Sequence, residues 1–301
     1  MNTAPQAYAE ATLHAPCKVN LYLKITGRRP DGYHDLESLF MPLHTPSDIL
    51  HVTPVNKEGL ELQCPGLDCS TESNLIFKAY EKFRQAAGFA PGLVCRVEKN
   101  IPSGAGLGGG SSDAACMLRY LNKGAGCRSL ATEALNSLAV SLGADVPFFL
   151  QDGPAWACGV GEQLRPVQLE LSGKSLLLVC PKEKVATGWA YSAWDKLEKK
   201  EEIGSLNFNP ELTATCETGK DPLCLERVVF FNSFEAAVFP VFPRLRTIKE
   251  TLVSEGAAGV VMSGSGASIC ALFNRRDRAE NAVKRLSALD ADGQMCFIHQ
   301  V

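Results

Sequence analysis

The sequence predicts an α+β protein built from two domains, and three observations carry that expectation. With 301 residues, 46% of them apolar, the chain has enough length for two cores rather than one. Its N-terminal part opens with runs that alternate polar and apolar residues and then passes into helical periodicity. Its C-terminal part mixes helical segments with short apolar runs, the pattern of helices set against a small antiparallel sheet. The division is placed near residue 170, giving domains over 1–170 and 171–301 with a cleft expected between them.

From Ala15 to Ile25, Cys17, Val19, Leu21, Leu23 and Ile25 share one face while Lys18, Asn20, Tyr22 and Lys24 share the other, which predicts a half-buried strand. β-like runs follow at Leu36–Leu43, Ile49–Val55 and Leu60–Cys64, separated by the Gly, Pro and Asp residues that hairpin turns use. Asn74–Ala87 is the first helix: Leu75, Ile76, Ala79, Phe83 and Ala86 form one stripe, and Gly88 is a suitable stop. A strand at Leu93–Val97 leads into a glycine-rich segment, followed by helices at Asp113–Leu121 and Ala131–Leu142, the second closed by Gly143. Ala155–Val167 reads as a hairpin, and Ser175–Cys180 as a buried strand that opens the second domain. There, Thr187–Lys199, Pro222–Phe239 and Pro243–Glu255 have helical character, and two β runs flank Ser263-Gly-Ser-Gly-Ala267. A last helix is expected from an Asp277 N-cap with Glu280 three residues on, before a strand at Met295–His299.

The balance of 30 basic against 33 acidic side chains, without a long block of either sign, gives nothing that would recruit nucleic acid or an anionic membrane. The 12 cysteines form no CxxC pair and sit mainly in apolar runs such as Ser268–Leu272, so they are expected to be buried thiols in a reducing compartment. The N-terminus lacks the basic and apolar regions of an export signal. The longest apolar stretch, Val228–Phe242, is interrupted by Asn232, Glu235 and Pro240 and is too short to span a bilayer. A soluble, cytoplasmic protein is the expectation.

The glycine-rich segment comprises Pro102, Ser103, Gly104, Ala105, Gly106 and Leu107, then Gly108, Gly109, Gly110, Ser111 and Ser112, ending at the expected helix start, Asp113. Small side chains let consecutive N–H groups turn toward an anion, and the unsatisfied amides of a helix's first turn add positive potential. As a Walker A loop it has Gly104, Gly109 and Ser111 in place, but Gly110 stands where lysine is required. As a dinucleotide fingerprint it has Gly104, Gly106 and Gly109, but Leu130–Leu142 downstream is helical where a second strand ending in an acid is needed. A flexible linker is the plain alternative, which the apolar Leu107 and the amphipathic segment that follows disfavour.

Lys18 and Asn20 point the same way from one strand, about 6 to 7 Å apart. Lys18 is either a solvent-facing lysine or the cation that the glycine segment lacks. Asp145, in Gly143-Ala-Asp-Val-Pro147, sits on a short turn where Pro147 biases Val146 toward an extended backbone. It is either a turn aspartate bonding its own backbone or a carboxylate that accepts or orients a hydroxyl proton in phosphoryl transfer. Tyr33 and His34, in Asp31-Gly-Tyr-His34, belong to a hairpin turn or offer a ring and an imidazole to a planar base. The Ser263–Gly266 loop is a tight hairpin or a second place where amides and hydroxyls approach phosphate.

Taken in order, these elements resemble the GHMP kinase superfamily across nearly the whole chain. The Pro102–Asp113 loop looks like its ATP-binding motif, Gly143–Pro147 like its aspartate segment, and Met262–Ser268 like its C-terminal glycine motif. The strings Ala15–Leu21, Gly27–His34, Ser73–Ile76 and Gly143–Phe148 are most similar to the member that acts on cytidine-diphosphate-linked methylerythritol. The resemblance implies ATP-dependent phosphorylation of the 2-hydroxyl of that small molecule, in the non-mevalonate route to isoprenoid precursors. It also implies an N-terminal α/β domain, a ferredoxin-like C-terminal domain and an active site in the cleft between them. Lys18 and Asp145 would be the catalytic pair, Asn20 a substrate-positioning side chain, Tyr33 and His34 the cytosine site, and the glycine loop the cradle of the ATP phosphates. Cys17 departs from the usual alanine. Mg²⁺ is expected with ATP, yet no acid announces itself as its ligand, and Ser112 is indicated by loop position alone. The state implied is a monomer or homodimer, with no nucleic-acid or membrane partner. The readings that compete with it are mevalonate or homoserine kinase, a nucleotide-binding regulatory module, and a nicotinamide oxidoreductase.

Overall fold

Two long strands begin the fold, β1 (Ala11–Arg28) and β2 (His34–Pro54). The computed structural model describes residues 8–65, 70–198, 223–224, 230–289 and 294–301. Within it the chain forms two units that interleave along the sequence. Unit one is Met1–Cys17, Pro46–Ile101 and Gly108–Asp152, and unit two is Lys18–Thr45, Pro102–Leu107 and Gly153–Val301. β1 and β2 therefore each run from one unit into the other.

The two runs expected at Leu36–Leu43 and Ile49–Val55 are one strand, because Pro46, Ser47 and Asp48 do not turn the chain. Asp48 is buried, and its carboxylate accepts the N–H groups of Asn100 (2.6 Å) and Ile101 (2.8 Å), so it anchors the strand instead of breaking it. In unit one, β4 (Leu93–Glu98) lies between the end of β2 and β3 (Leu60–Gln63), antiparallel to the first and parallel to the second. The hairpin expected between the second and third runs is thereby replaced by an intervening strand.

Helix α1 (Leu75–Ala87) matches its sequence signals. The Asn74 side chain accepts the Ile76 N–H at 2.9 Å, and Gly88 ends the helix in the left-handed region at φ 68°. It buries Ile76, Ala79, Tyr80 and Phe83 and packs on α2 (Gly109–Gly124). Helix α2 starts earlier than the expected Asp113, because Gly108 adopts φ 71° and turns the chain into the helix at once. Helix α3 (Thr132–Val140) follows, then a 3₁₀ turn at Pro147–Leu150.

In unit two, β5 (Ala155–Cys158) and β6 (Gln163–Pro166) form the expected hairpin, and β5 pairs with β2 at Ser38 to Phe40. β7 (Leu169–Glu170) pairs in parallel with β9 (Leu223–Cys224). A four-stranded antiparallel sheet has the order β11 (Gly259–Met262), β12 (Ile269–Phe273), β8 (Ser175–Pro181), β13 (Gln294–Gln300). With helices before β11 and between β12 and β13, this is the ferredoxin-like arrangement. Its helices are α4 (Thr187–Asp195), α5 (Glu235–Val238), α6 (Pro243–Ser254) and α7 (Arg276–Leu289). Their apolar faces share a core with Leu177, Val179, Ile269 and Phe273.

Three expectations are corrected here. The helix expected over Pro222–Phe239 is helical at Glu235–Val238 alone among the described residues. Phe231 and Asn232 form β10, pairing in parallel with Tyr22 and Leu23 of β1, because tertiary pairing overrides a local helical pattern. The segment Thr187–Lys199 is helical only to Asp195, and Lys199 itself lies outside the described residues. Asp277 does not cap α7, which starts at Arg276; its carboxylate is taken by the Arg275 guanidinium at 2.9 and 2.8 Å.

A buried charge cluster fixes the start of α2. The Lys99 ammonium reaches both Asp48 and Asp113, the latter at 2.7 Å. Burial pulls the lysine's pKa down, but the two carboxylates outweigh it and hold it above its ordinary value. Burial also pushes Asp113 up to about 7, against the opposing pull of Lys99. Asp113 thus binds its proton more tightly folded than unfolded. Its contribution to stability is present below an unfolded pKa of about 4 and is lost as pH rises through about 7. Asp113→Asn does not titrate in that window, so the Tm advantage of the wild type over the variant is expected to shrink between about pH 5 and about pH 8. A pH-independent difference in thermal melts would contradict the assignment.

Candidate active site

Strand alternation places Lys18 and Asn20 on one face of β1, as expected, but the strand is not half-buried. From Lys18 to Leu23 both faces are covered, and Lys18 is only 4% exposed. The solvent-facing reading of Lys18 is therefore excluded. Its Nζ donates to Asn20 Oδ1 at 2.7 Å and stands 4.9 Å from the centre of the Phe40 ring. Asn20 is 1% exposed; its Nδ2 donates to Ser38 Oγ at 2.8 Å, and Ser38 Oγ donates to the Tyr22 carbonyl at 2.6 Å. Cys17, beside the lysine, is fully buried.

In unit two the first part of the glycine segment meets the same strand. The Lys18 N–H donates to the Leu107 carbonyl at 2.9 Å, and the Ser268 N–H to the Ala105 carbonyl at 3.2 Å. Ser263 Oγ accepts the Asn20 N–H at 3.1 Å and donates to the Gly106 carbonyl at 3.0 Å. Gly106 has φ 75°, and a Cβ there would stand 2.2 Å from the Ser263 carbonyl oxygen. Glycine at 106 is thus a steric requirement of two loops in contact. The Ser263–Ser268 loop is both the tight hairpin between β11 and β12 and a partner of the glycine segment. Ser263 belongs to the loop singled out from sequence, whereas Ser38 was not foreseen.

In unit one lie Gly108 to Ser112 and Asp145. The first amides of α2, from Gly109 onward, have no intrahelical acceptor by the geometry of any helix N-terminus. Ser112 is fully buried, and its Oγ has no hydrogen-bond partner among the described residues. Asp145 follows α3 in a turn closed by Val146 N–H to the Gly143 carbonyl at 3.1 Å. A side-chain carbon at Gly143 would meet Ser111 Oγ at 4.0 Å, so this turn stands beside the first turn of α2. The expected extended backbone at Val146 is not found. The residue is right-handed helical, at φ −63° and ψ −43°, because burial of Val146 and Phe148 outweighs the pre-proline preference.

Tyr33 and His34 differ sharply. The turn is closed by Arg29 N–H to the Tyr33 carbonyl at 2.7 Å, and Asp31 Oδ1 accepts the Tyr33 N–H at 3.0 Å. The Tyr33 residue is 65% exposed, whereas His34 is 6% exposed. Asp195, unforeseen from sequence, lies 2.9 Å from His34 Nε2. Among the described residues no cluster of three His, Cys, Asp or Glu side chains is placed to hold a metal, and no helix is long and apolar enough to cross a membrane.

Residues 74–153 match the model of the GHMP kinases N terminal domain, and residues 212–291 that of the GHMP kinases C terminal domain. The chain is 42% identical over 288 residues to 4-diphosphocytidyl-2-C-methyl-D-erythritol kinase of Solidesulfovibrio magneticus, covering 95% of this chain and 96% of that protein. It is 44% identical over 275 residues to the enzyme of that name from Nitratidesulfovibrio vulgaris, covering 91% and 94%. A crystal structure of 4-(cytidine 5'-diphospho)-2C-methyl-D-erythritol kinase superposes with a TM-score of 0.72 at 36% identity, covering 96% of this chain and 98% of its own. Homoserine kinase from Cytophaga hutchinsonii superposes with a TM-score of 0.73 at 16% identity, a likeness of fold alone. The resemblance read from the motifs and the architecture thus holds over more than nine-tenths of the chain, and the protein belongs to the 4-diphosphocytidyl-2-C-methyl-D-erythritol kinases of the GHMP kinase family.

Proposed function

We propose that this small-molecule kinase transfers the γ-phosphoryl group of ATP to the 2-hydroxyl of 4-diphosphocytidyl-2-C-methyl-D-erythritol. Relatives 42% and 44% identical over more than nine-tenths of the chain, all named for that substrate, are the observation that carries this reading. The buried Lys18 ammonium supports it, since a charge withdrawn from water beside the Asn20 carbonyl oxygen is placed to hold an anionic partner. In the reaction Asp145 accepts or orients the hydroxyl proton. The hydroxyl oxygen attacks the γ-phosphorus, the bond to the β,γ-bridging oxygen breaks, and ADP leaves. Loop amides from Pro102 to Ser112 cradle the phosphates, Asn20 aligns the acceptor alcohol, and Tyr33 with His34 forms the cytosine site. Positioning and fixed dipoles supply most of the rate.

The buried Ser112 Oγ, without a partner among the described residues, fits an oxygen ligand of Mg²⁺, which would neutralise phosphate charge when bound with ATP. The proposal includes a functional division at 1–170 and 171–301, a cytoplasmic monomer or homodimer, and no nucleic-acid or membrane partner.

Asp145→Asn and Lys18→Met are each expected to lower kcat by roughly two to four orders of magnitude with little change in the KM for ATP. Near-normal turnover in both would reject the assignment. Gly106→Ala is expected to cost at least about tenfold in kcat/KM, because the added methyl would collide with the Ser263 carbonyl; an unaffected variant would show that the two loops need not touch. ADP release measured against the cytidyl substrate, mevalonate and homoserine tests the acceptor, and a preference for either of the latter two would overturn it.

A further inference from the structure

The imidazole of His34 is enclosed by one face of α4. Tyr191, Trp194 and Asp195 stand at positions i, i+3 and i+4, the spacing that brings three side chains to one side of a helix. The Tyr191 ring stacks on the imidazole at 4.6 Å with the planes 20° apart, and Trp194 meets it edge-on at 5.7 Å and 86°. Asp195 Oδ1 lies 2.9 Å from His34 Nε2, and Asp195 Oδ2 lies 3.5 Å from the Arg28 guanidinium. Tyr191 is itself braced edge-on by Phe234 at 4.8 Å. The imidazole is thus stacked, hydrogen-bonded and withdrawn from solvent, while the adjacent Tyr33 stays open.

We propose that Asp195 is a positioning residue for the cytidine-bearing substrate, orienting the His34 imidazole within the cytosine site. A carboxylate at Nε2 requires the proton on that nitrogen, which sets the ring's hydrogen-bonding pattern and rotation. Held in this way, His34 pins the first residue of β2 and with it the turn that presents Tyr33. Tyr33 then meets the base as a ring already in place, without a loop to be ordered on binding. The proposal rests on the assignment of the Tyr33–His34 turn to the cytosine ring. It adds that the α4 face, through Asp195, governs affinity for the cytidyl part and not for ATP.

The test measures calorimetric binding of cytidine 5'-diphosphate to the full chain, alongside steady-state KM values for ATP and the cytidyl substrate. Asp195→Ala leaves Nε2–H without its acceptor and is expected to weaken the diphosphate and raise the cytidyl KM by roughly tenfold. The KM for ATP and the kcat at saturation should stay within about twofold of wild type. Asp195→Asn, which keeps an acceptor oxygen, should recover most of the lost affinity. Unchanged cytidyl binding in Asp195→Ala would overturn the proposal. So would a joint loss of ATP and cytidyl affinity with a lowered Tm, which would make Asp195 a general support of the fold. If the wild type bound no cytidine diphosphate yet phosphorylated an alcohol without a cytidyl group, the cytosine reading would fall and this inference with it.

Discussion

An ammonium group buried to within a few per cent of full coverage has to be met by oriented partners, and the strand segment around Lys18 is organised by that demand. The orientation can be followed atom by atom. Ser38 Oγ has a single proton and donates it to the Tyr22 carbonyl, so toward Asn20 it can only accept. Asn20 must then present its amide nitrogen to Ser38, which turns its carbonyl oxygen to Lys18. One hydroxyl thereby fixes which end of the carboxamide faces the charge.

The same reasoning governs the two glycine loops of unit two. Ser263 donates to the Gly106 carbonyl and accepts the Asn20 N–H, so a strand and two loops share one hydroxyl. Such closeness is possible only without a β-carbon at 106. Asn232 secures the loop from behind, donating to the carbonyls of Met262 and Gly264 at 2.6 and 2.7 Å while its own oxygen accepts the Phe234 N–H at 2.9 Å. With all three contacts made, the side chain behaves as a splint. Burial without unsatisfied groups is what makes such a splint rigid.

Unit one uses a different device for its part of the glycine segment. Helix α2 starts at a left-handed glycine and is held at its base by Asp113, which shares Lys99 with Asp48. Asp48 in turn accepts two backbone N–H groups just before the segment begins. Two carboxylates around one ammonium leave a surplus of negative charge in a buried place, which is why burial drives Asp113 toward its neutral form. A residue that reads as turn punctuation in sequence is here an anchor at the base of helix α2.

Helix α1, the antiparallel sheet of unit two and the pairing of Lys18 with Asn20 were legible from the sequence, because each depends on short-range physics. Caps, 3.6-residue stripes and two-residue alternation are written in neighbouring side chains. The misread elements share a different cause. The continuity of β2 through Asp48 and the strand at Phe231 and Asn232 answer to partners distant along the chain, and the helical Val146 answers to its burial. The family, the glycine segment and the chemical types of the candidate residues are written in local strings and can be read there. The burial of Lys18, the passage of Gly106 past Ser263 without a side chain and the grip of Asp195 on His34 emerge only in three dimensions. Hydrogen-bond partners and steric limits across more than a hundred residues have no local signature, because they arise only when distant segments of chain occupy the same space.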